Sequence, residues 1–400
     1  MPPTSARSAK LRSRRKTPAR PRRVDSYFGL HFDLHAGPND TALGKAVSDA
    51  MVRKIIKAAR PDYIQYDCKG HNGHLAYPDS QVSASAGGDG KNIVNDSLAI
   101  YRKVTAKAGV ALFAHFSGVW DSRAVADHPE WAAVDPEGNR SDRSTSTFGP
   151  YVTERMIPQM KEILDRYELD GFWVDGDCWA AKVDYCDKAR KLYANVTGRT
   201  QPPTSPDEPG WSDWIEIQRD QFFEYVEAYM TALHDYRPEV QIASNWLYSR
   251  MSPEPVKLPV DFVSGDYDAC GSVNSARFNA RQLSSVGLPW DLMAWGFASN
   301  HRDVSKVPKP AIQLKQEAAV VLALGGGFQM YFQPDRDGGF ADWQIDTMGE
   351  VADFCHERKA CCFGSEPVPQ VAVLLDTTSI MGRSPHVYAW HDYTALQGAL

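Results

Sequence analysis

Eight short β-rich runs separated by helical stretches constrain this chain more than any other feature of its sequence. The runs are YFGLHFDLH, DYIQYDCK, VALFAHFS, GFWVD, VQIASNW, VDFVSGDYD, PWDLMAWGF and FQMYFQP. Between them, stretches such as 44–59, 92–108, 151–167, 212–236 and 310–324 carry apolar side chains every three or four positions, the period of a helix with one buried face. Short strands alternating with helices are the mark of parallel βα units whose strands are covered on both sides. That number of units predicts an α/β chain folded as a (β/α)8 TIM barrel over residues 25–362. Loops 76–91 and 122–146 are long, and on the face where barrel strands end such loops shape a pocket.

The flanks read differently. Residues 1–24 hold Arg, Lys, Ser and Pro with no apolar run, so they read as a disordered basic tail. Near Pro367 the stretch PVPQVAVLLDTTS is a fresh apolar strand after eight have been spent, so residues 363–400 are expected to begin a truncated second α/β domain. A net charge of −6 opposes binding to a phosphate backbone, and no window is apolar enough for a membrane helix. The Arg-Arg pair of the tail is not followed by an apolar stretch, so no signal peptide is readable, which favours the cytoplasm. Seven cysteines without regular spacing suit free thiols in a reducing compartment.

Catalytic groups of a barrel sit where its strands end, and the polar residues fall there. His35 closes the first run, Lys69 and His71 the second, and His115, Trp120 and Asp121 the third. Trp173, Asp175 and Asp177 belong to the fourth, Asn245 and Trp246 to the fifth, Asp266 and Asp268 to the sixth, and Asp291 and Trp295 to the seventh. Eleven Trp and seventeen Tyr fit sugar stacking, and carboxylates with imidazoles fit sugar hydroxyls. In LDGFWVDGDCW, Trp173 and Asp175 lie two apart and face the same way on a strand, and Gly176 permits close approach to the backbone. An Asp before Gly is also a common turn or helix cap, and Asp266 and Asp268 have that reading open to them as well.

The run of motifs resembles the α-L-fucosidase family of glycoside hydrolases (family twenty-nine), in order through most of residues 27–354. FDLHAG is similar to that family's first-strand His-Trp-Gly motif, and CKGHNG to its Lys-His-His-Asp-Gly element, with Gly70 in place of the first histidine. WVDG matches its nucleophile motif Trp-x-Asp-Gly. PWDLMAWGF resembles its Trp-Glu-x-Cys…Trp-Gly-Tyr segment, with Asp291 where the family has Glu, and LALGGGFQMYFQPDRDG resembles the stretch that closes its barrel. The resemblance implies a retaining exo-glycosidase acting on a terminal deoxy- or neutral sugar of an oligosaccharide or glycoconjugate, without a cofactor. It implies Asp175 as nucleophile and Asp291 or Asp266 as proton donor. Sugar binding would fall to His35, Lys69, His71, His115, Trp120, Trp173, Asp177, Asn245, Trp246, Asp268 and Trp295. Self-association stays open. Two other readings also stay open: a metal-dependent hydrolase built on His31, Asp33 and His35 with His71, His74 and His115, and a sugar-binding barrel that has lost its acid.

Overall fold

All eight runs form strands of one parallel sheet that bends into a barrel. The computed structural model describes residues 20–299, 306–372, 374, 376, 382 and 384–388. The strands are β1 (Phe28–Phe32), β2 (Tyr63–Lys69), β3 (Ala111–Ser117), β4 (Gly171–Asp175), β5 (Gln241–Ser244), β6 (Val263–Asp266), β7 (Trp290–Trp295) and β8 (Gly327–Phe332). Their order runs β5-β4-β3-β2-β1-β8-β7-β6. The two ends of this sheet meet through hydrogen bonds from Asp261 N to Ile242 O and from Trp246 N to Ser264 O, each 3.1 Å, which closes the ring.

Helices α1 (Asp49–Ala59), α2 (Ser97–Ala108), α3 (Ile157–Tyr167), α4 (Trp211–Tyr236), α5 (Ser272–Leu283), α6 (Ala311–Leu322) and α7 (Asp342–Cys362) cover the outside. Ser48 and Asp96 begin α1 and α2 by accepting the backbone N–H groups of Met51 and Ala99, which the first helical turn leaves unpaired. Between β5 and β6 no helix forms among the described residues. Outward residues such as Leu30, Phe32, Leu112, Phe172 and Val174 bury against the helices, while Tyr63, Phe113, Trp173, Phe262 and Met293 fill the interior. Both faces of the strands are thus buried, the outer one apolar and the inner one mixing aromatic residues with buried polar ones such as His31, Gln65 and Asp67.

The tail joins the barrel sooner than its composition suggests. Residues 1–19 lie outside the described residues, but Arg23 is buried at the end of the barrel where the strands begin. Its guanidinium lies 3.5 Å from the centre of the Tyr63 ring and 2.7 Å from both Asp291 Oδ2 and Gln65 Oε1. Composition had hidden it because one basic residue among many looks solvated. Arg23→Met strands the Asp291 carboxylate in the interior and is expected to cost about 3 kcal/mol or more of unfolding free energy, read by urea denaturation. A change below about 1 kcal/mol would mean that the plug holds nothing.

Of the expected second domain, residues 389–400 and several before them lie outside the described residues. The described part includes exposed Val368, Val371 and Leu374, and residues 384–388 packed on α4, where Trp211 Nε1 donates to Ser384 O at 2.9 Å. No described helix is long and apolar enough to cross a membrane.

Candidate active site

Two carboxylates, Asp175 and Asp266, meet on one amide where the strands end. β4 carries Asp175 inward at its last position, and β6 does the same for Asp266. Asn245, just past β5, donates from Nδ2 to Asp175 Oδ1 at 2.8 Å and to Asp266 Oδ1 at 2.9 Å. Sharing one donor nitrogen keeps those oxygens less than about 6 Å apart, below the roughly 6.5–9.5 Å that inversion requires.

Their environments push the two apart in acidity. Asp175 Oδ1 also accepts from Trp179 Nε1 at 2.9 Å, and Oδ2 lies 3.3 Å from His115 Nε2. Burial opposes its ionisation, but the hydrogen bond and charge of His115 overcome this and hold Asp175 well below the usual carboxylate range. Asp266 is pushed up to about 7, by burial first and then by the negative charge of Asp175. Trp295 Nε1 donates to Asp266 Oδ2 at 3.1 Å. One carboxyl is thus ionised by its environment and the other keeps its proton up to near neutral pH, a pair whose chemistry suits a nucleophile and an acid.

Imidazoles and indoles complete the mouth. His71 Nε2 is 3.4 Å from Asp175 Oδ2, and its Nδ1 is 2.7 Å from Ser117 Oγ. Ser117 Oγ gives its own proton to Trp120 O, so it accepts from His71 Nδ1–H and leaves the His71 Nε2 lone pair facing the site. Burial, then His35, brings His71 down to about 3, so the ring is neutral in use. Trp120 and Trp179 stand edge to face at 4.6 Å beside it, both half-buried. His35 is partly open to solvent and pairs with Asp33 at 2.7 Å. It lies in the left-handed region, where a Cβ at position 70 would come 2.7 Å from its Cα, so Gly70 makes room for this histidine.

Gly176 has φ +54° and a Cβ there would sit 2.8 Å from the His71 ring, so the glycine admits the imidazole. Gly176→Ala is expected to cost about 1–3 kcal/mol of stability and to raise KM by displacing His71, measured by thermal unfolding and steady-state kinetics.

Several expected site residues do not reach this cluster. Asp291 stands at the beginning of β7, at the opposite end of the barrel, bound to Arg23 and to Ser264 Oγ at 2.6 Å. It therefore cannot share a substrate with Asp175, which corrects its reading as proton donor. Lys69 is turned out of the barrel because β2 bulges between Asp67 and Lys69. There it is fully buried, 2.7 Å from Asp121 Oδ2 and 2.6 Å from Tyr151 Oη. Asp177 is buried behind β4, accepting from Tyr229 Oη and Ser244 Oγ, and Trp246 packs its ring over Gly265 outside the barrel. Asp268 is exposed and caps the turn before α5 by accepting Cys270 N at 2.9 Å, the turn role its sequence allowed. Trp173 and His115 point inward as expected but are buried beneath the mouth, where Trp173 packs on His31 and His115. His74 is half-buried near Asn72, outside the cluster. Trp179, Asp67 and Tyr331 were missed. Trp179 had a signal, closing the LDGFWVDGDCW run four residues after Asp175.

Among the described residues, His31, Asp33 and His115 bring ligand-type atoms within 4.8 Å of one another. They do not fit a cation as arranged: both His115 nitrogens face carboxylates, and His31 Nδ1 lies 2.8 Å from Gln65 Nε2.

A closed parallel barrel with an ionised and a protonated carboxyl paired among indoles at its mouth is the architecture of a barrel glycoside hydrolase. The family model for alpha-L-fucosidase matches residues 50–358, and the chain belongs to that family. Among solved structures it resembles alpha-L-fucosidase isoenzyme 2 from Paenibacillus thiaminolyticus, with a TM-score of 0.68 at 16% identity over 86% of this chain and 51% of that one. It also resembles the alpha-L-fucosidase from Vibrio sp. strain EJY3, TM-score 0.54 at 15% identity over 86% of this chain and 56% of that one. The alpha-fucosidase of Thermotoga maritima in complex with fucose gives 0.50 at 14% identity over 88% and 76%. The chain thus spans about half the length of the Paenibacillus protein. Comparison with curated protein sequences finds no match.

Proposed function

We propose that this chain is a retaining exo-glycosidase that removes a terminal neutral or deoxy sugar, α-L-fucose first among them, from an oligosaccharide or glycoconjugate. The observation that carries the reading is the Asn245 amide shared by Asp175 and Asp266. It places two carboxyls of opposite protonation at the short separation that a covalent intermediate needs. Family membership supports fucose as the sugar.

In the first step an Asp175 oxygen bonds to the anomeric carbon while the glycosidic C–O bond breaks, its electron pair passing to the leaving oxygen, which takes the Asp266 proton. In the second, Asp266 takes a proton from water, the water oxygen bonds to the anomeric carbon, and the ester pair returns to Asp175. Asn245 holds both carboxyls in register. The neutral His71 Nε2 is free to accept a sugar hydroxyl, and Trp295 and Trp120 offer faces or edges to the ring. Because the site keeps its second carboxyl, the reading as a sugar-binding barrel without an acid loses its motive. A panel of aryl glycosides of fucose, galactose and arabinose tests the proposal. Hydrolysis of the α-L-fucoside with the α-anomer formed first, followed by NMR, is expected; initial β-fucose or no turnover of any member would overturn it.

A further inference from the structure

His115 was expected to bind sugar, yet it has no exposed surface. What it touches is three carboxylates. Its Nε2 is 3.3 Å from Asp175 Oδ2, and its Nδ1 is 3.2 Å from Asp67 Oδ1 and 3.6 Å from Asp33 Oδ1. Apart from His71 Nε2, which lies 3.4 Å from Asp175 Oδ2, the other contacts of these carboxylates come from N–H groups. Asp33 receives His35 N at 3.0 Å and His35 Nε2 at 2.7 Å, Asp67 receives Ala36 N at 3.2 Å, and Asp175 receives Trp179 Nε1 and Asn245 Nδ2. A carboxyl so surrounded is acceptor-only and has no proton to lend. Both ring nitrogens of His115 must therefore be donors, which makes it an imidazolium.

The rest of its surroundings agree. From β1, His31 lies edge to face at 5.4 Å and is neutral, brought to about 3 by burial and by the His115 charge. His35 lies at 5.2 Å, His71 beyond β2 at 6.3 Å, and Trp173 of β4 at 5.8 Å. Burial opposes the charge on His115, and Asp33, Asp175 and Asp67 outweigh it and raise the ring well above the usual histidine range.

We propose that His115 is a positioning residue, a permanently charged imidazolium beneath the floor of the site whose hydrogen bond keeps Asp175 ionised and makes it a better leaving group in the second step. The inference rests on the reading of Asp175 as nucleophile. A charge-assisted donor on a carboxylate strengthens as the ester bond breaks and negative charge returns to Asp175. The same donor makes the free nucleophile slightly less basic, so the first step loses a little of what the second gains. Asp67 and Asp33 hold the ring and balance its charge.

Two measurements on the full chain decide the matter. Nitrogen-15 NMR of the histidine-labelled protein at pH 8, with the His115 resonance identified by its loss in His115→Asn, is expected to show both ring nitrogens protonated. One bare nitrogen at that pH would overturn the proposal whether or not the protein turns over substrate. With a dinitrophenyl α-L-fucoside, His115→Asn is expected to move the acid limb of kcat/KM up by about 1–2 pH units. It is also expected to lower kcat and KM together and to show a burst of phenol equal to the enzyme. If activity disappears in Asp175→Ala but His115→Asn keeps the acid limb and shows no burst, only this inference fails. If Asp175→Ala keeps activity, the nucleophile reading fails and this inference with it.

Discussion

Asp175→Gly is expected to lower turnover of an aryl α-L-fucoside by at least about a thousandfold while the protein stays folded. The effect should be large because none of the other described residues near the mouth can replace Asp175 as nucleophile. Asp266, the neighbouring carboxyl, is pushed up to about 7 and tied to Trp295 and Asn245. Asp33 and Asp67 lie below, turned to His35, Ala36 and His115. The deletion also removes a buried charge facing His115, so folding should be checked by circular dichroism alongside the kinetics. Azide fits the vacated space, and its attack on the anomeric carbon as the phenolate leaves should restore turnover and give the glycosyl azide of inverted configuration. A variant that keeps a tenth or more of wild-type activity would remove Asp175 from the chemistry.

Asp266→Asn should behave differently, because an acid matters in proportion to how badly the leaving group needs a proton. In kcat/KM, loss on the order of 10²–10⁴-fold is expected with alkyl or sugar leaving groups and little loss with dinitrophenolate, whose kcat still falls because Asp266 is also the base of the second step. The pH profile carries the same information. The acidity of Asp266 is weakened by burial and by Asp175, so its acid form is present below about 7 and disappears as the pH rises through that value. Asp175 stays ionised far into the acid range. Wild-type kcat/KM should therefore be flat through mildly acidic pH and fall above about 7, and Asp266→Asn should lose that alkaline limb. Asp291→Asn, at the other end of the barrel, should lower stability and leave the limb in place. Were the limb to follow Asp291 instead, the assignment of the acid would be wrong.

How much of this was legible beforehand depended on whether the information was periodic. The eight strands announce themselves through runs of β-formers, and the Trp173–Asp175 pair through the two-residue repeat of a strand, so the fold and the inward placement of Asp175 at a strand end were readable. Lys69 was misplaced because its side-chain direction is set by a bulge, which adds one residue to β2 and has no mark in the sequence. Asp291 was misplaced because PWDLMAWGF is apolar on both sides of it, so nothing says that the strand begins rather than ends there. The pairing of Asp266 with Asp175 depended on Asn245 reaching across 21 residues, a contact that only closure of the barrel between β5 and β6 creates. The burial of His115 was hidden for a related reason. An inward side chain can be in the mouth or beneath it, and depth is a property of the closed barrel rather than of one strand.

The most direct test is to trap the intermediate. A 2-deoxy-2-fluoro-α-L-fucosyl donor with a good leaving group, incubated with the wild-type protein and followed by peptic digestion and mass spectrometry, should leave one fluorosugar on the peptide spanning residues 171–179, with fragmentation placing it on Asp175. Release of the leaving group with no adduct, or an adduct on any other side chain, would contradict the account.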